Sequence, residues 1–326
     1  MFVLRRDAEL TLQSLKIMLS FIEAVAADPD SQAGILMEEF IKEDPIFSIL
    51  GFVNEPTPVY TYSQVVKSST AGMRGLNEEL RGEPSRESDS YETFKLMSDL
   101  MQTDWQVAAI DPNRKAREEL RKIRAFKDLW VRQFFNGSTS LNNREFDGLR
   151  ARVEKLPRQW LQNAPAGAPL SLRKLRQAIL RTKSATAILV SADLLDWISE
   201  SSQSGVLKGS VFYKQDELGR LAMMYNGLPI LAIARDEMDR EMLPATEVSF
   251  DGTSIDNTSI YIVSCREGGL QGINFQGPKG YGFNVVEQGL RGVYEQTLVE
   301  YRTGIVIEDK RSVTRLDGIK LAPVTT

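Results

Sequence analysis

The stretch DPNRKAREELRKIRAFKDLWVRQFFNG, residues 111–137, reads as one long helix. Ile123, Phe126, Trp130 and Phe134 recur at intervals of three and four residues, flanked by Ala116, Leu120 and Leu129. Asp111 suits the N-cap and Pro112 the first turn, while Asn136-Gly137 suits the C-terminal stop. A helix over 112–135 is about 36 Å long at the usual rise per residue. Its other faces carry Arg114, Lys115, Arg117, Arg121, Lys122, Arg124, Lys127 and Arg132. Asp111, Glu118, Glu119 and Asp128 offset only part of that charge. Two readings stay open: a solvated face, or a face turned toward a polyanion or an acidic neighbour.

Directly before the helix lies an extended polar flap, residues 60–107. Strand-forming residues dominate 59–66. Residues 67–86 are rich in Gly, Ser, Glu and Arg and lack apolar order, although Leu76 and Leu80 allow one short turn. Residues 90–109 turn strand-like again through Tyr91, Thr93, Phe94, Trp105, Val107 and Ala109. Two strands around a polar tip make a hairpin-like flap whose edges lie exposed in a lone chain. A compact enzyme has little use for such a flap; a subunit lying across its neighbours does.

Residues 8–26 fit an amphipathic helix on Leu12, Leu15, Leu19 and Ile22, widened by Met18, Phe21 and Val25, and a second helical piece fits 32–41. Both belong to an N-terminal arm whose apolar stripe needs a partner. After the long helix, 137–158 reads as irregular, and Asn163-Ala-Pro-Ala-Gly-Ala-Pro as a loop or domain linker. Ser171 is placed to cap a helix carrying Leu172, Leu175, Ile179 and Leu180. Residues 187–190 form a buried strand, 191–199 a helix, 205–225 a loop with short strands, and 228–234 and 260–264 further core strands. That alternation indicates an α/β or α+β layer. Residues 289–303 and 305–313 are expected to pair as antiparallel strands across Thr303-Gly304.

Composition bounds the chemistry. The chain has 326 residues, a formal net charge of −4, no histidine and one cysteine. Histidine-based triads, histidine-ligated zinc and haem are excluded, and so is an intrachain disulfide. Cys265 sits in a strand-like run and reads as a buried, inert thiol. No signal-peptide pattern and no membrane-length apolar run is evident, which predicts a soluble protein in a reducing compartment.

The remaining motifs are weak. Gly272-Ile-Asn-Phe-Gln-Gly277-Pro-Lys279 fails as a phosphate loop, because Pro278 stands where lysine is needed and an extended run follows. Residues 268–282 read instead as a structural glycine loop at a domain tip. Glu295 and Glu300 are an odd number of residues apart, so a strand puts them on opposite faces, unlike a glycosidase pair. Asp236, Glu237, Asp239, Arg240 and Glu241 make a charged turn without calcium-loop spacing. Asn136-Gly-Ser matches a glycosylation sequon that carries no weight without secretion. Trp105 and Trp130 read as core or interface anchors, and Trp160 and Trp197 are dispersed. No catalytic, cofactor-binding or metal-binding residue is assigned.

Two stretches carry a family resemblance: Phe134-Phe-Asn-Gly followed by Arg144-Glu-Phe-Asp-Gly-Leu, and Ile305-Val-Ile-Glu-Asp-Lys-Arg-Ser-Val-Thr-Arg-Leu-Asp-Gly-Ile. With the order of the elements, they make nearly the whole chain resemble the tailed-bacteriophage major capsid protein of HK97-like fold. The resemblance implies an α+β chain with an N-terminal arm over 1–54, an extended loop over 55–109, and a peripheral domain with the spine helix over 110–169. An axial domain over 170–289 and returning peripheral strands over 290–326 complete it. It implies self-assembly into pentamers and hexamers of an icosahedral or prolate virion head, assembled in the host cytoplasm around double-stranded DNA contacted without sequence specificity. Implied partners are further copies of the chain, a scaffolding protein, a portal and a decoration protein, with no membrane and no cofactor. Lys67 and Lys95 lie near the flap, yet no crosslink is assigned. The alternative is an encapsulin-type cellular compartment; a carboxylate-based hydrolase is the rival from another class.

Overall fold

The computed structural model describes residues 18–20, 38, 40, 44–67, 85–110, 112–203, 211–215, 221–236, 238–275 and 283–325. In chain order the elements are β1 (Met18–Ser20), α1 (Ile46–Ile49), β2 (Gly51–Glu55), β3 (Val59–Lys67), β4 (Arg86–Thr93), β5 (Lys95–Asp104), α2 (Trp105–Ile110) and α3 (Pro112–Asn136). There follow α4 (Leu149–Glu154), β6 (Trp160–Gln162), β7 (Ala168–Ser171), α5 (Leu172–Arg181), β8 (Ala187–Ser191), α6 (Ala192–Gln203), β9 (Val211–Gln215) and β10 (Leu221–Tyr225). The chain closes with β11 (Leu228–Ile233), β12 (Thr258–Val263), β13 (Leu270–Phe275), β14 (Phe283–Arg291), β15 (Tyr294–Ile307) and β16 (Val313–Thr325).

Helix α3 joins two sheets. Its predicted stripe is buried, and Val131 and Phe135 join it. The Trp130 ring centroid lies 4.8 Å from that of Phe47, 5.9 Å from Phe52 and 5.2 Å from Phe134. Its indole N–H donates to Thr303 Oγ1 on β15 at 3.2 Å, so the buried polar handle is satisfied. One turn later Phe135 reaches Tyr261 on β12, 5.6 Å between centroids. The helix stops where expected: Gly137 N donates to the Gln133 carbonyl at 2.9 Å, and the Gly137 carbonyl accepts from Gly148 N at 2.8 Å. A side chain at Gly137 would collide with the carbonyl oxygens of Gln133 and Phe146, so glycine is required there. Asp111, the expected cap, lies outside the described residues.

The first sheet has the order β1-β2-β13-β15-β14, with β5 also paired to β15. The second has the order β6-β16-β12-β8-β11-β10-β9, with β7 also on β16. Period-two alternation splits the second sheet between two cores. Ile188, Val190, Ile260 and Ile262 face α5 and α6, while Ala187, Leu189, Tyr261 and Val263 face the α3 side. Strands β3 and β4 form a separate two-stranded hairpin in the register Val59↔Thr93 to Lys67↔Arg86.

Several expectations need correction. Met18–Ser20, placed in a helix by periodicity, pair as a strand with Gly51–Val53; tertiary pairing overrides local propensity. The rest of 8–26 lies outside the described residues, whereas Glu38 and Phe40 are helical, as 32–41 predicted. Trp105–Ile110 is helix α2 rather than strand. The irregular 137–158 contains helix α4. Of the two readings at Asn163 the loop holds and the domain linker does not: it joins β6 to β7 in one sheet, with the Asn163 amide donating to the carbonyls of Ala168 and Pro169 and its carbonyl accepting from Ser171 N. Ser171 holds the N-cap position of α5 without a side-chain cap bond.

The largest correction concerns the C-terminal third. Leu270–Phe275 is a buried central strand, not a loop at a tip. Gly272 is there because the Phe52 ring of β2 occupies the space a Cβ would need. No turn forms at Thr303-Gly304. Tyr294–Ile307 is one continuous strand whose hairpin partner is Phe283–Arg291. Strand β16 crosses to the other sheet and pairs with β12. Strands β13 and β14 therefore pair outside the layer expected for 170–289, and β16 inside it.

Candidate functional site

The β3–β4 hairpin is the feature with least support from its own chain. Its root is anchored on β15 and the turn after it. Tyr60 Oη donates to Glu308 Oε1 at 2.6 Å, and Gln64 Nε2 donates to the Ile307 carbonyl at 3.1 Å. Burial and the Glu308 carboxylate push the Tyr60 phenol far above its ordinary pKa, which keeps it a donor. From α4, Arg152 donates to Glu92 Oε1 at 2.6 Å, to the Ile305 carbonyl at 2.9 Å and to the Asp147 carbonyl at 2.7 Å. Tyr60 packs with Val53, Ile273 and Val306, and Tyr62 and Phe94 close over them.

Away from that root, neighbouring Val65 and Val66 are 56% and 59% exposed and Tyr91 is 72% exposed. By register Val65 and Tyr91 share one face, opposite Tyr60, Tyr62 and Gln64, and Val66 stands at a register irregularity before Lys67. The face turned away from the root thus shows apolar side chains that the described residues of its own chain leave exposed. Residues 68–84, the expected polar tip with Leu76 and Leu80, lie outside the described residues.

Beside the hairpin, β5, β15 and β14 form a three-stranded ribbon. Leu100 pairs with Leu298, and Leu298 with Val286, so the three share one face. Leu96 and Tyr294 lie further along that face by register, and Leu96, Leu100, Val286 and Tyr294 are exposed. The opposite face carries Met97 and Met101 toward the core, and Asp99 pairs with Lys122 of α3 at 2.8 Å.

The described cations of α3 are largely engaged at home. Lys122 pairs with Asp99, buried Lys127 with Asp128 at 3.1 Å, and Arg132 with Asp236 at 2.8 Å. The buried Asp236 carboxylate accepts further bonds from Met238 N, Arg240 N and Arg240 Nε. Burial opposes its ionisation, but those donors hold its pKa below the ordinary value. The charged turn at 236–241 thus clamps α3; Glu237 lies outside the described residues. A second network is buried between β16 and its neighbours, where Arg315 donates to Glu247 Oε2 and Ser259 Oγ, both at 3.0 Å.

Other singled-out residues fall in ordinary places. Glu295 and Glu300 sit on opposite faces of β15, and Glu300 accepts from Asn284. Cys265 is buried, and burial pushes its thiol up to about 12. Lys95 donates to the Asn143 carbonyl at 2.7 Å, and Asn136 donates to the Met242 carbonyl at 2.9 Å. Trp130 is buried and Trp105 exposed. A hollow of about 350 Å3 between α3 and the 236–241 turn holds Asp128 and Asp236, both already paired with cations. Among the described residues no cluster of three or more metal-ligating side chains occurs, and no helix is long and apolar enough to cross a membrane. Sequence reading missed Arg152 and Glu92, which lie 60 residues apart and carry no local signal.

No protein-family model matches the chain, and no curated protein sequence matches it. Solved structures do. The holo-SrpI encapsulin complex from Synechococcus elongatus PCC 7942 shares 15% identity, with 99% of each chain covered and a TM-score of 0.62. The capsid of an empty GTA particle shares 11% identity over 84% of this chain and 89% of the other, with a TM-score of 0.57. A chain of Microbacterium phage Oxtober96 shares 7% identity over 87% and 91%, with a TM-score of 0.55. At these identities the likeness is one of fold, and the chain has the α+β HK97-like fold of phage capsid and encapsulin shell proteins.

Proposed function

We propose that this chain is a shell-forming subunit, the major capsid protein of a tailed-phage head. Pentamers and hexamers of it would tile a closed virion shell around double-stranded DNA, after assembly in the host cytoplasm. The observation that carries the reading is the β3–β4 hairpin, rooted by Tyr60, Gln64 and Arg152 yet with Val65, Val66 and Tyr91 left exposed beyond that root. Lapped over a neighbouring copy, it would bury Val65, Val66 and Tyr91. The three-stranded ribbon face of Leu100, Leu298 and Val286 offers a second contact surface. Under this reading residues 1–54 act as an arm and 55–109 as the extended loop. Residues 110–169 and 290–326 contribute the peripheral domain apart from β16, which joins the axial sheet, and 170–289 supply the axial domain apart from β13 and β14, which join the peripheral sheet. Scaffolding, portal and decoration proteins are the expected partners, and no catalytic step is assigned.

A second reading has one specific observation in its favour. The likeness to an encapsulin has a TM-score of 0.62, against 0.57 for the GTA capsid and 0.55 for the Microbacterium phage chain. The pairing of Lys122, Lys127 and Arg132 within the chain also leaves less of α3 for a polyanion. Electron microscopy and solution mass of the purified protein, with chemical identification of what it encloses, test both. Closed shells holding DNA support the phage head, and shells holding protein support the compartment. A monomer under every salt and concentration, alone and with its neighbouring genes co-expressed, overturns the shell reading. Deleting residues 68–84 should leave folded subunits that close poorly; normal shells would remove the hairpin's assigned role.

A further inference from the structure

Helices α5 and α6 pack on the same face of the eight-stranded sheet and carry opposite charge. On α5, Leu172, Leu175 and Ala178 are buried, which turns Arg173, Arg176 and Leu180 outward on one ridge. The helix contains Arg173, Lys174, Arg176 and Arg181 and no acid. On α6, Leu194, Ile198 and Ser201 are buried, which turns Ala192, Asp196 and Glu200 outward. That helix contains no lysine or arginine. Among the described residues neither Arg173 nor Arg176 forms an ion pair, and neither does Asp196 or Glu200. Leu180, 84% exposed, ends the basic ridge.

We propose that the outward ridge of α5 docks antiparallel on the outward ridge of α6 in the next copy of the chain. In that arrangement Arg173 meets Glu200, Arg176 meets Asp196 and Leu180 meets Ala192. The two ridges match in length: seven residues span about 10.5 Å and eight span about 12 Å at the helical rise. Charge, charge and apolar thus oppose charge, charge and apolar in register. The contact uses two different patches, so a copy engaged through α5 with one neighbour and through α6 with another repeats around a ring, whereas a reciprocal pair would close at the dimer and overturn the ring contact. A polyanion is the other occupant of a basic ridge. The exposed leucine among arginines and the complementary ridge on the same chain favour a protein surface instead, since arginine beside apolar groups is typical of interfaces. The inference rests on the shell-subunit reading and names one contact within it.

The test places cysteines at Leu180→Cys and Ala192→Cys together in the full chain and treats the assembled protein with a short bis-maleimide. The native Cys265 is buried and does not compete. A ladder of covalent oligomers beyond the dimer is expected, absent when either substitution stands alone. A companion set reverses charge. Arg173→Glu with Arg176→Glu should lower the assembled fraction at least about tenfold through like-charge contact. Adding Asp196→Lys and Glu200→Lys should restore it. Shells without a ladder, or assembly indifferent to one-sided reversal, overturn the contact and leave the shell reading standing. Neither assembly nor ladder in the parent overturns both. Loss of copurifying nucleic acid with assembly unchanged assigns the ridge to a polyanion and overturns the proposal.

Discussion

Arg152→Ala tests the root of the hairpin. The guanidinium reaches three elements at once: the carboxylate of Glu92 on β4, the Ile305 carbonyl on β15 and the Asp147 carbonyl before α4. The Arg152 side chain is only 12% exposed and Glu92 26%. A hydrogen bond to a charged group contributes about 1.5–3 kcal/mol net. Glu92 is partly wet, so its share falls toward the roughly 1 kcal/mol of an exposed pair. The two carbonyls lose a buried donor at about 1 kcal/mol each, which gives a total near 3 kcal/mol. At about 2.1 cal/mol/K per residue for a chain of this size, that is a fall in Tm of about 4 °C. The assay is thermal unfolding of parent, Arg152→Ala and the exposed control Arg144→Ala, all in one assembly state because association shifts apparent stability. Limited proteolysis should also cut 59–93 faster in Arg152→Ala while the α3 core stays protected. A melting point within 1 °C (about 0.7 kcal/mol on the same scale) of the control, with unchanged cleavage, would refute the claim that Arg152 roots the hairpin.

Three further outcomes follow from the same geometry. Gly272→Ala should cost about 1–3 kcal/mol by driving the new Cβ into the Phe52 ring, read by denaturant unfolding; a neutral result would mean the ring repacks freely. Asp236→Ala removes the acceptor for two backbone N–H groups and for Arg132 and Arg240, and should cost about 3 kcal/mol, whereas exposed Glu267→Ala should cost under about 0.5 kcal/mol. For Asp147, burial alone would raise the pKa, but bonds from Lys155 and Thr139 hold it down to about 2. The unfolded value is about 3.9, so this stabilisation is complete above about pH 4 and drains as pH falls through about 2. Asp147→Asn should flatten that part of the acid unfolding curve, and an unchanged slope would contradict the assignment.

How much of this was legible depends on where each residue's partners lie. Helix α3 was, because Ile123, Phe126, Trp130 and Phe134 repeat within the helix and its stop signal is local. The first hairpin strand was, because a polar run follows it, but the second was read over 90–109, whereas it is Arg86–Thr93 and Lys95–Asp104 pairs with β15 instead. The axial strands at 187–191, 228–233 and 258–263 were, because continuous apolar runs announce buried strands. Strand β13 was not: Gly272 looks like a loop residue until Phe52, 220 residues earlier, is known to lie on it. The sheet membership of β16 was not, since its partner β12 lies about 50 residues earlier and only three-dimensional pairing assigns it. Trp105–Ile110 failed because six residues fit either period, although Asp104 at the cap position, accepting from Gln106 N at 2.9 Å, was the local helix signal. At the candidate surface, composition disclosed the exposed flap but not its anchors, because Arg152, Glu92 and Ile305 are assembled from three distant segments.

These anchors lie on one continuous path through the molecule. The hairpin root bonds to Ile305, Ile307 and Glu308 at the end of β15. Four residues up that strand from Ile307, Thr303 accepts from Trp130. From Trp130 the helix carries the path one turn to Phe135 and Tyr261, the middle of the eight-stranded sheet. Asp236, holding Arg132 between those two points, fixes the helix to the second sheet from its other side. Packed interiors transmit displacement instead of absorbing it. A pull on the hairpin by a neighbouring copy therefore reaches the layer on which α5 and α6 sit, without crossing a flexible segment among the described residues. In a shell this couples two contact surfaces through the C-terminal turns of α3: closure at the hairpin constrains the orientation at which the α5 and α6 ridges meet. Cutting the path at Trp130→Ala, which opens a cavity at a cost of about 3–5 kcal/mol, should then change the distribution of assembly sizes even though Trp130 touches neither surface. Smaller yields of otherwise identical shells would instead mean that the two surfaces act independently.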